Sequence, residues 1–287
     1  MFKFLCFGSG SSGNSYYISN GKDAIIIDAG IGVRSIKKYL LEYGIKHTQI
    51  KAILLSHDHF DHSRAAGVLS KMFNVKIHSS ELVIEKLTQS YRTKIEKSDC
   101  VFLTKAKTFQ VGDMLIEPFE IPHDSADNFG YSIHYDGLVF TIMTDVGEPT
   151  DIVKQHIRMS NYLVIEADYD ETMLANNKRY DALLKQRIMG CHGHLSNSQT
   201  AELLYDNYHP NLTNVWLCHL SAENNKPELA KQTIVDYFGI RNIDLNSCFH
   251  LDVLKRKSPS GPWMLATDTE ETDVDSQQLS INFNSLL

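Results

Sequence analysis

Long hydrophobic runs are absent from this chain. Nothing approaches the ~20 consecutive apolar residues of a membrane-spanning helix, so no membrane partner is expected. The N-terminal stretch Met1 to Gly13 has one lysine and a short apolar run broken by glycines, and reads as a first strand rather than a secretory signal. Paired cysteine spacing is also missing. Five cysteines (Cys6, Cys100, Cys191, Cys218 and Cys248) are scattered over 287 residues. That odd, unpatterned set argues against a disulfide framework and for a reducing, cytoplasmic compartment. Most read as small core residues, with Cys191 and Cys218 close enough to candidate histidines to be considered as ligands. Lys and Arg are absent from Ser258 onward, where Asp268, Glu270, Glu271, Asp273 and Asp275 are all acidic. Of the formal charge of −7, five negative charges fall in that stretch and −2 remains on the body. The body is therefore not too acidic to meet a nucleic acid.

What is present is an ordinary globular composition, 43% hydrophobic and 22% charged. The expected organisation is one domain over 1–257, followed by a polar, acidic, mobile tail over 258–287. The first third alternates strands (Lys3 to Phe7, Ser15 to Ser19, Ala24 to Asp28, Ala52 to Leu55) with helical spacing at Val33 to Tyr43 and Ser63 to Phe73. The centre is richer in strands, with Asp136-Gly137 as a hairpin turn. Further strands follow at Tyr162 to Glu166, Val215 to Cys218 and Ser247 to Leu254, separated by helical runs. This α/β pattern suits two sheets packed face to face with helices outside.

The densest chemistry lies in Ser56-His57-Asp58-His59-Phe60-Asp61-His62, directly after the apolar run Ile53-Leu54-Leu55. Imidazole and carboxylate are the ligands of borderline divalent metals. His57 and His59, two apart on extended chain, project to one side, and Asp61 and His62 follow as the chain turns helical. One ion could not easily take all four, so two ions are expected. Three later segments repeat the pattern of an apolar strand running into a polar residue: Ile121-Pro122-His123, Ile142-Met143-Thr144-Asp145 and Trp216-Leu217-Cys218-His219. A strand end fixes a ligand while the adjoining loop stays open to substrate.

Together these residues resemble the metallo-β-lactamase superfamily over roughly Met1 to Leu254. The resemblance implies a four-layer αββα sandwich. It implies one metal held by His57, His59, His123 and Asp145, and a second by Asp61, His62, Asp145 and His219, with Asp145 bridging. The ions implied are zinc or manganese, with iron as a third option. The chain is also similar to the YycJ (WalJ) group of bacterial proteins. The matching segments are Gly8 to Ser15, Asp28-Ala29-Gly30, Ser56 to His62, His123 to Ala126, Thr144 to Gly147, Glu166 to Asp170, Gly193 to Asn197 and His219 to Asn225. One departure is Asp168-Tyr169, where that group is expected to carry Asn before His or Tyr.

This likeness implies a phosphodiesterase acting on nucleic acid, DNA more than RNA, with 5′-to-3′ exonuclease action. His194 precedes a helix upstream of His219, as in ribonuclease Z-like nucleases, and is the expected general acid beside catalytic Asp61. The alternatives on the same fold are an RNA-processing nuclease, a thioester or lactam hydrolase, and an accessory regulator of cell-wall signalling with little turnover. The basic cluster Lys86, Arg92, Lys94, Lys97, Lys105 and Lys107 reads either as a phosphate-contacting rim or as a solvated face.

Overall fold

Two continuous apolar runs, Ile25-Ile26-Ile27 and Leu163-Val164-Ile165, are buried on both faces of their strands. Side chains alternate between the faces of a strand, so such strands need cover on both sides. The computed structural model, which describes residues 2–267, supplies that cover with two sheets and flanking helices.

The first sheet contains β1 (Phe2–Gly8), β2 (Ser15–Ser19), β3 (Ala24–Ile27), β4 (Ile50–Leu54), β5 (Lys76–Ser80) and β6 (Cys100–Leu103) in spatial order. The second contains β7 (Phe109–Val111), β8 (Met114–Glu120), β9 (Phe129–Tyr135), β10 (Leu138–Met143), β11 (Tyr162–Glu166), β12 (Asn214–Cys218) and β13 (His250–Val253). β14 (Ser260–Leu265) then returns to the first sheet and pairs antiparallel with β1. Each sheet is antiparallel at one side and parallel at the other. In the first, β3, β4, β5 and β6 run parallel; in the second, β10, β11, β12 and β13 do.

The helices are α1 (Val33–Glu42), α2 (Phe60–Ser63), α3 (Ala66–Phe73), α4 (Glu81–Thr88), α5 (Asp151–Met159), α6 (Glu171–Asn176), α7 (Ala182–Met189), α8 (Asn197–Asn207) and α9 (Pro227–Gly239). Three apolar cores separate the layers. Phe4, Ile25, Ile27, Phe140, Val164 and Trp216 fill the space between the sheets. Ile26, Ile36, Ile53, Leu69 and Val83 join the first sheet to α1, α3 and α4. Leu163, Ile165, Val153, Leu204 and Phe238 join the second sheet to α5, α8 and α9. The expected αββα sandwich is therefore present. Each buried aliphatic or aromatic side chain contributes ~1.5–3 kcal/mol.

Several expectations need correction. The tail expected to be mobile from 258 instead supplies β14, because Trp263 stacks on Phe4 at 5.3 Å and Leu265 is buried. The rest of that tail, 268–287, lies outside the described residues. The helix expected over Ser63 to Phe73 is α3, which begins at Ala66, and a separate short helix, α2, precedes it. β6, α4 and α6 had no counterpart in the sequence reading. The hairpin turn is as expected: Asp136 and Gly137 both have positive φ (50° and 79°), as a type I′ turn requires. Of the cysteines, only Cys6 and Cys218 are buried. No helix among the described residues is long and apolar enough to cross a membrane.

Candidate metal centre

In the parallel parts of the sheets, strand C-termini come together, which is where open α/β sheets hold their ligands. β4 runs into His57, β10 into Asp145, β11 into Glu166 and β12 into His219. β8, antiparallel to β9 and so codirectional with β10, runs into His123. The seven residues expected as ligands converge there. One group of facing atoms comprises His57, His59 and His123; another His57, His62 and Asp145; a third Asp61, His62 and His219, all within 4.8 Å inside each group. Asp145 lies between them. Its Oδ1 is 3.7 Å from His123 Nε2 and 3.5 Å from His219 Nε2, while its Oδ2 is 3.3 Å from His62 Nε2.

The rings are aimed from behind. Asp28, at the end of β3, lies 2.7 Å from His62 Nδ1 and accepts from the amide and hydroxyl of Ser56 at 2.8–3.0 Å. The Ser56 hydroxyl in turn meets His57 Nδ1 at 2.9 Å. His123 Nδ1 donates to the Gly193 carbonyl at 3.1 Å, and His219 Nδ1 to Glu166 at 3.0 Å. Holding Nδ1 fixes the tautomer and leaves Nε2 for a metal. Nε2 of His57 and of His219 is buried without a hydrogen-bond partner, a costly state for a polar atom unless something binds it. The donor set, imidazole with carboxylate, is that of a divalent cation site. His62 differs, since its Nε2 also meets Asn14 Nδ2 at 2.9 Å.

Backbone geometry serves the same end. Asp28, Asp145 and His219 all have left-handed φ (57°, 58° and 54°), a conformation that costs non-glycine residues energy and concentrates at functional sites. Gly30 has no room for a side chain, because a Cβ there would lie 1.5 Å from the Asp61 carbonyl. Asn14 N donates to that same carbonyl at 2.7 Å.

The charges divide sharply. Burial and neighbouring imidazoles push His57 well below the ordinary histidine value. Burial opposes the charged form of His62, but Asp145, Asp28 and Asp61 outweigh it and raise that ring to about 9. Burial also opposes ionisation of Asp145, yet His219, His62, His57 and His123 hold it well below the usual carboxylate range. A cluster of this kind, perturbed by both burial and specific partners, is a functional-site signature.

His194 sits at the edge of the centre, its ring 5.1 Å from that of His123 and 5.3 Å from that of His219. Its Nδ1 lies 2.9 Å from Glu166. Burial disfavours its charge, but Glu166, Asp168 and Asp145 raise it to about 9. Capping of α8 is done by Ser196 with Gln199, so His194 takes no part in it. Glu166 carried no assigned role in the sequence reading. Its buried carboxylate accepts from four donors: His194, His219 and the amides of Val146 and Leu195. The signal was available, since Tyr162 to Glu166 is another apolar strand ending in an acid. Burial raises the Asp168 carboxyl above its ordinary value, and it lies 3.8 Å from His219 Nδ1.

Neither cysteine considered as a ligand belongs to the centre: Cys218 is buried with its Sγ 3.8 Å from the Met143 carbonyl, and Cys191 is exposed. Two cavities of about 370 Å³ lie elsewhere, one beside Gly137, Asn161 and Thr213 and one beside Leu41, His47 and Met72.

Residues 23–212 match the family model described as the beta-lactamase superfamily domain. Exodeoxyribonuclease WalJ of Streptococcus pneumoniae (strain D39) is 34% identical over 236 residues, covering 82% of this chain and 87% of that one. Exodeoxyribonuclease YycJ of Bacillus anthracis is 26% identical over 258 residues, covering 90% and 97%. The metallo-beta-lactamase fold protein YhfI from Bacillus subtilis superposes with a TM-score of 0.67 at 14% identity, over 91% of this chain and all of that one. The fold, the convergent histidines and aspartates and these relatives agree: the chain belongs to the metallo-β-lactamase superfamily of metal-dependent hydrolases, in its WalJ/YycJ-like group.

Proposed function

We propose that this protein is a binuclear-metal phosphodiesterase of nucleic acid, acting as a 5′-to-3′ DNA exonuclease in the cytoplasm. The observation that carries the two-metal reading is the placement of the Asp145 carboxylate, 3.7 Å from His123 on one side and 3.3 and 3.5 Å from His62 and His219 on the other. His57, His59, His123 and Asp145 would hold one ion, and Asp61, His62, Asp145 and His219 the other, with zinc or manganese as the ions and iron as a third option. Divalent ions at such a centre activate water and neutralise charge on a phosphate.

The chain's own groups supply the rest. Asp61, its carboxylate 3.6 Å from His62 Nε2 and 3.7 Å from His219 Nε2, accepts a hydrogen bond from the attacking water and orients it. His194 donates a proton to the leaving oxygen. Glu166 keeps that imidazole protonated and fixes its plane through Nδ1. DNA as substrate rests on the two relatives named exodeoxyribonuclease, and the polarity of digestion on the resemblance of the sequence motifs to the YycJ group.

The test is turnover by the purified, manganese- or zinc-loaded protein. The substrates are 5′-phosphorylated duplex DNA, single-stranded RNA, and a chromogenic lactam or thioester. DNA is expected to be degraded from its 5′ end, and Asp61→Ala, Asp145→Ala and His194→Ala to be strongly impaired. Lactam or thioester turnover with inert nucleic acids would overturn the proposal. Full activity of Asp145→Ala would remove the two-metal reading, and full activity of His194→Ala its role as acid.

A further inference from the structure

Half of the six basic side chains suspected as a phosphate rim are neutralised. Lys86 pairs with Asp58 at 2.9 Å, Lys105 with Glu120 and Asp127 at 2.9 and 3.1 Å, and Lys97 lies 4.0 Å from Glu85. Arg179 pairs with Glu223 and Arg187 with Asp124. Three further cations are gathered in one place. Arg64, Arg256 and Lys257 have no carboxylate partner among the described residues, and all three line one cavity of about 210 Å³. That volume is several times the ~30 Å³ a water occupies, enough for a phosphate group with part of its hydration.

The rest of the lining fits an anion. Ser12, Ser35 and Tyr39 bring hydroxyls, and no acidic residue lines the cavity. Gly32 begins α1 there without any side-chain cap, and the first turn of α1 contains no acid. The free amides of that turn therefore add a partial positive charge. Arg64 is positioned rather than free: its Nη2 donates to the Ser12 carbonyl at 2.7 Å, while its Nε is buried without a partner. Arg256 is likewise held, donating to the Ser221 carbonyl at 2.8 Å.

The cavity and the metal centre share a wall. In the loop after β1, Ser9 Oγ accepts from His219 N at 2.9 Å and Asn14 Nδ2 meets His62 Nε2 at 2.9 Å. The same loop faces the cavity through Ser12, and Gly10 packs against the Arg256 side chain. Arg64 follows Asp61 by one helical turn and covers the half-exposed ring of Phe60, 5.2 Å from its centroid.

We propose that the cavity of Arg64, Arg256 and Lys257 is a subsite for a backbone phosphate of the nucleic-acid strand, next to the phosphate under attack. This rests on the nucleic-acid reading above and adds where the strand is gripped. Charge-assisted pairing of guanidinium and ammonium with phosphate positions the strand without reading its sequence.

The test is binding of the manganese-loaded protein to a phosphorothioate-protected DNA duplex, by fluorescence anisotropy across a salt series. Lys257→Gln and Arg256→Gln are compared with Lys231→Gln, an exposed control in α9. Each cavity variant is expected to bind about five- to tenfold more weakly and to lower the slope of log affinity against log salt by about one. The control shifts neither. The duplex is used with a 5′-phosphate and with a 5′-hydroxyl. Equal losses on both assign the cavity to an internal phosphate, and a loss only with the 5′-phosphate to the terminal one; either supports the subsite. Unchanged affinity and slope in both cavity variants, or no DNA binding by the wild type, overturn it. Lys257 is exposed, so its variant stays informative even if Arg256→Gln fails to fold. Cleavage of unprotected DNA is scored separately, so DNA that is bound but never cut defeats the exonuclease reading and leaves the subsite standing.

Discussion

Replacing Glu166 by glutamine tests how the centre is held together. The carboxylate is buried and accepts from four N–H groups at 2.9–3.0 Å. Glutamine has nearly the same shape but one acceptor oxygen and one NH₂ donor. If its oxygen stays with the two rings, the NH₂ faces the amides of Val146 and Leu195. If it is flipped, both imidazoles must accept at Nδ1, which moves their protons to Nε2 and spoils His219 as a ligand. In the first case two buried donors lose their acceptor, at ~1–3 kcal/mol each; in the second the rings lose the tautomer that the site needs. The charge is lost as well. The rise of His194 from its ordinary 6.5 to about 9 corresponds to ~3 kcal/mol favouring the imidazolium. Glu166 shares that with Asp168 and Asp145.

A general acid works only while protonated, so activity falls as pH rises through its pKa. Removing Glu166 lowers that pKa, so the fall comes earlier. Cations at the centre pull the wild-type limb below 9 as well, so the difference between the two proteins is the quantity to read. The assay is kcat/KM from pH 5 to 10 on DNA, at metal concentrations that saturate both proteins. The basic limb of Glu166→Gln is expected at least one pH unit below that of the wild type, with kcat at pH 8 down by about 10²-fold or more. A folded, metal-loaded variant whose basic limb coincides with the wild type would refute the reasoning.

Asp28→Asn should weaken zinc binding by about 10–100-fold, because the carboxylate holds His62 and Ser56 together; competition with a chromophoric chelator measures it, and unchanged affinity would contradict the assigned role. Gly30→Ala should fold yet lose metal affinity, since its methyl group needs the place of the Asp61 carbonyl; calorimetric titration with zinc alongside circular dichroism separates the two effects. Trp263→Ala should destabilise the protein by about 2–3 kcal/mol in urea unfolding, somewhat less than a fully buried aromatic costs, because its ring packs on Phe4 and Trp216 at 5.3 and 5.1 Å. No change in the unfolding midpoint would mean that β14 contributes nothing to the fold.

The local order of residues determined much of this protein. Strand runs alternating with helical spacing in both halves, around a strand-rich centre, suited two sheets packed face to face with helices outside. The cluster His57 to His62 and the strand-end residues His123, Asp145 and His219 were legible because their chemistry recurs in one pattern, an apolar run ending in an imidazole or carboxylate. Composition misled at Ser260 to Leu265, where surrounding Ser, Thr and Asp hid a short strand whose partner, β1, lies at the other end of the chain. The same limit applies within the centre. That Glu166 serves both His194 and His219, that Asp28 stands behind His62, and that Arg64 meets Arg256 and Lys257 in one cavity are contacts between residues far apart in sequence. A sequence gives the chemistry each side chain can perform. Only the packing of two sheets, bringing the C-terminal ends of their strands together, decides which of those side chains meet and which protons and charges they share.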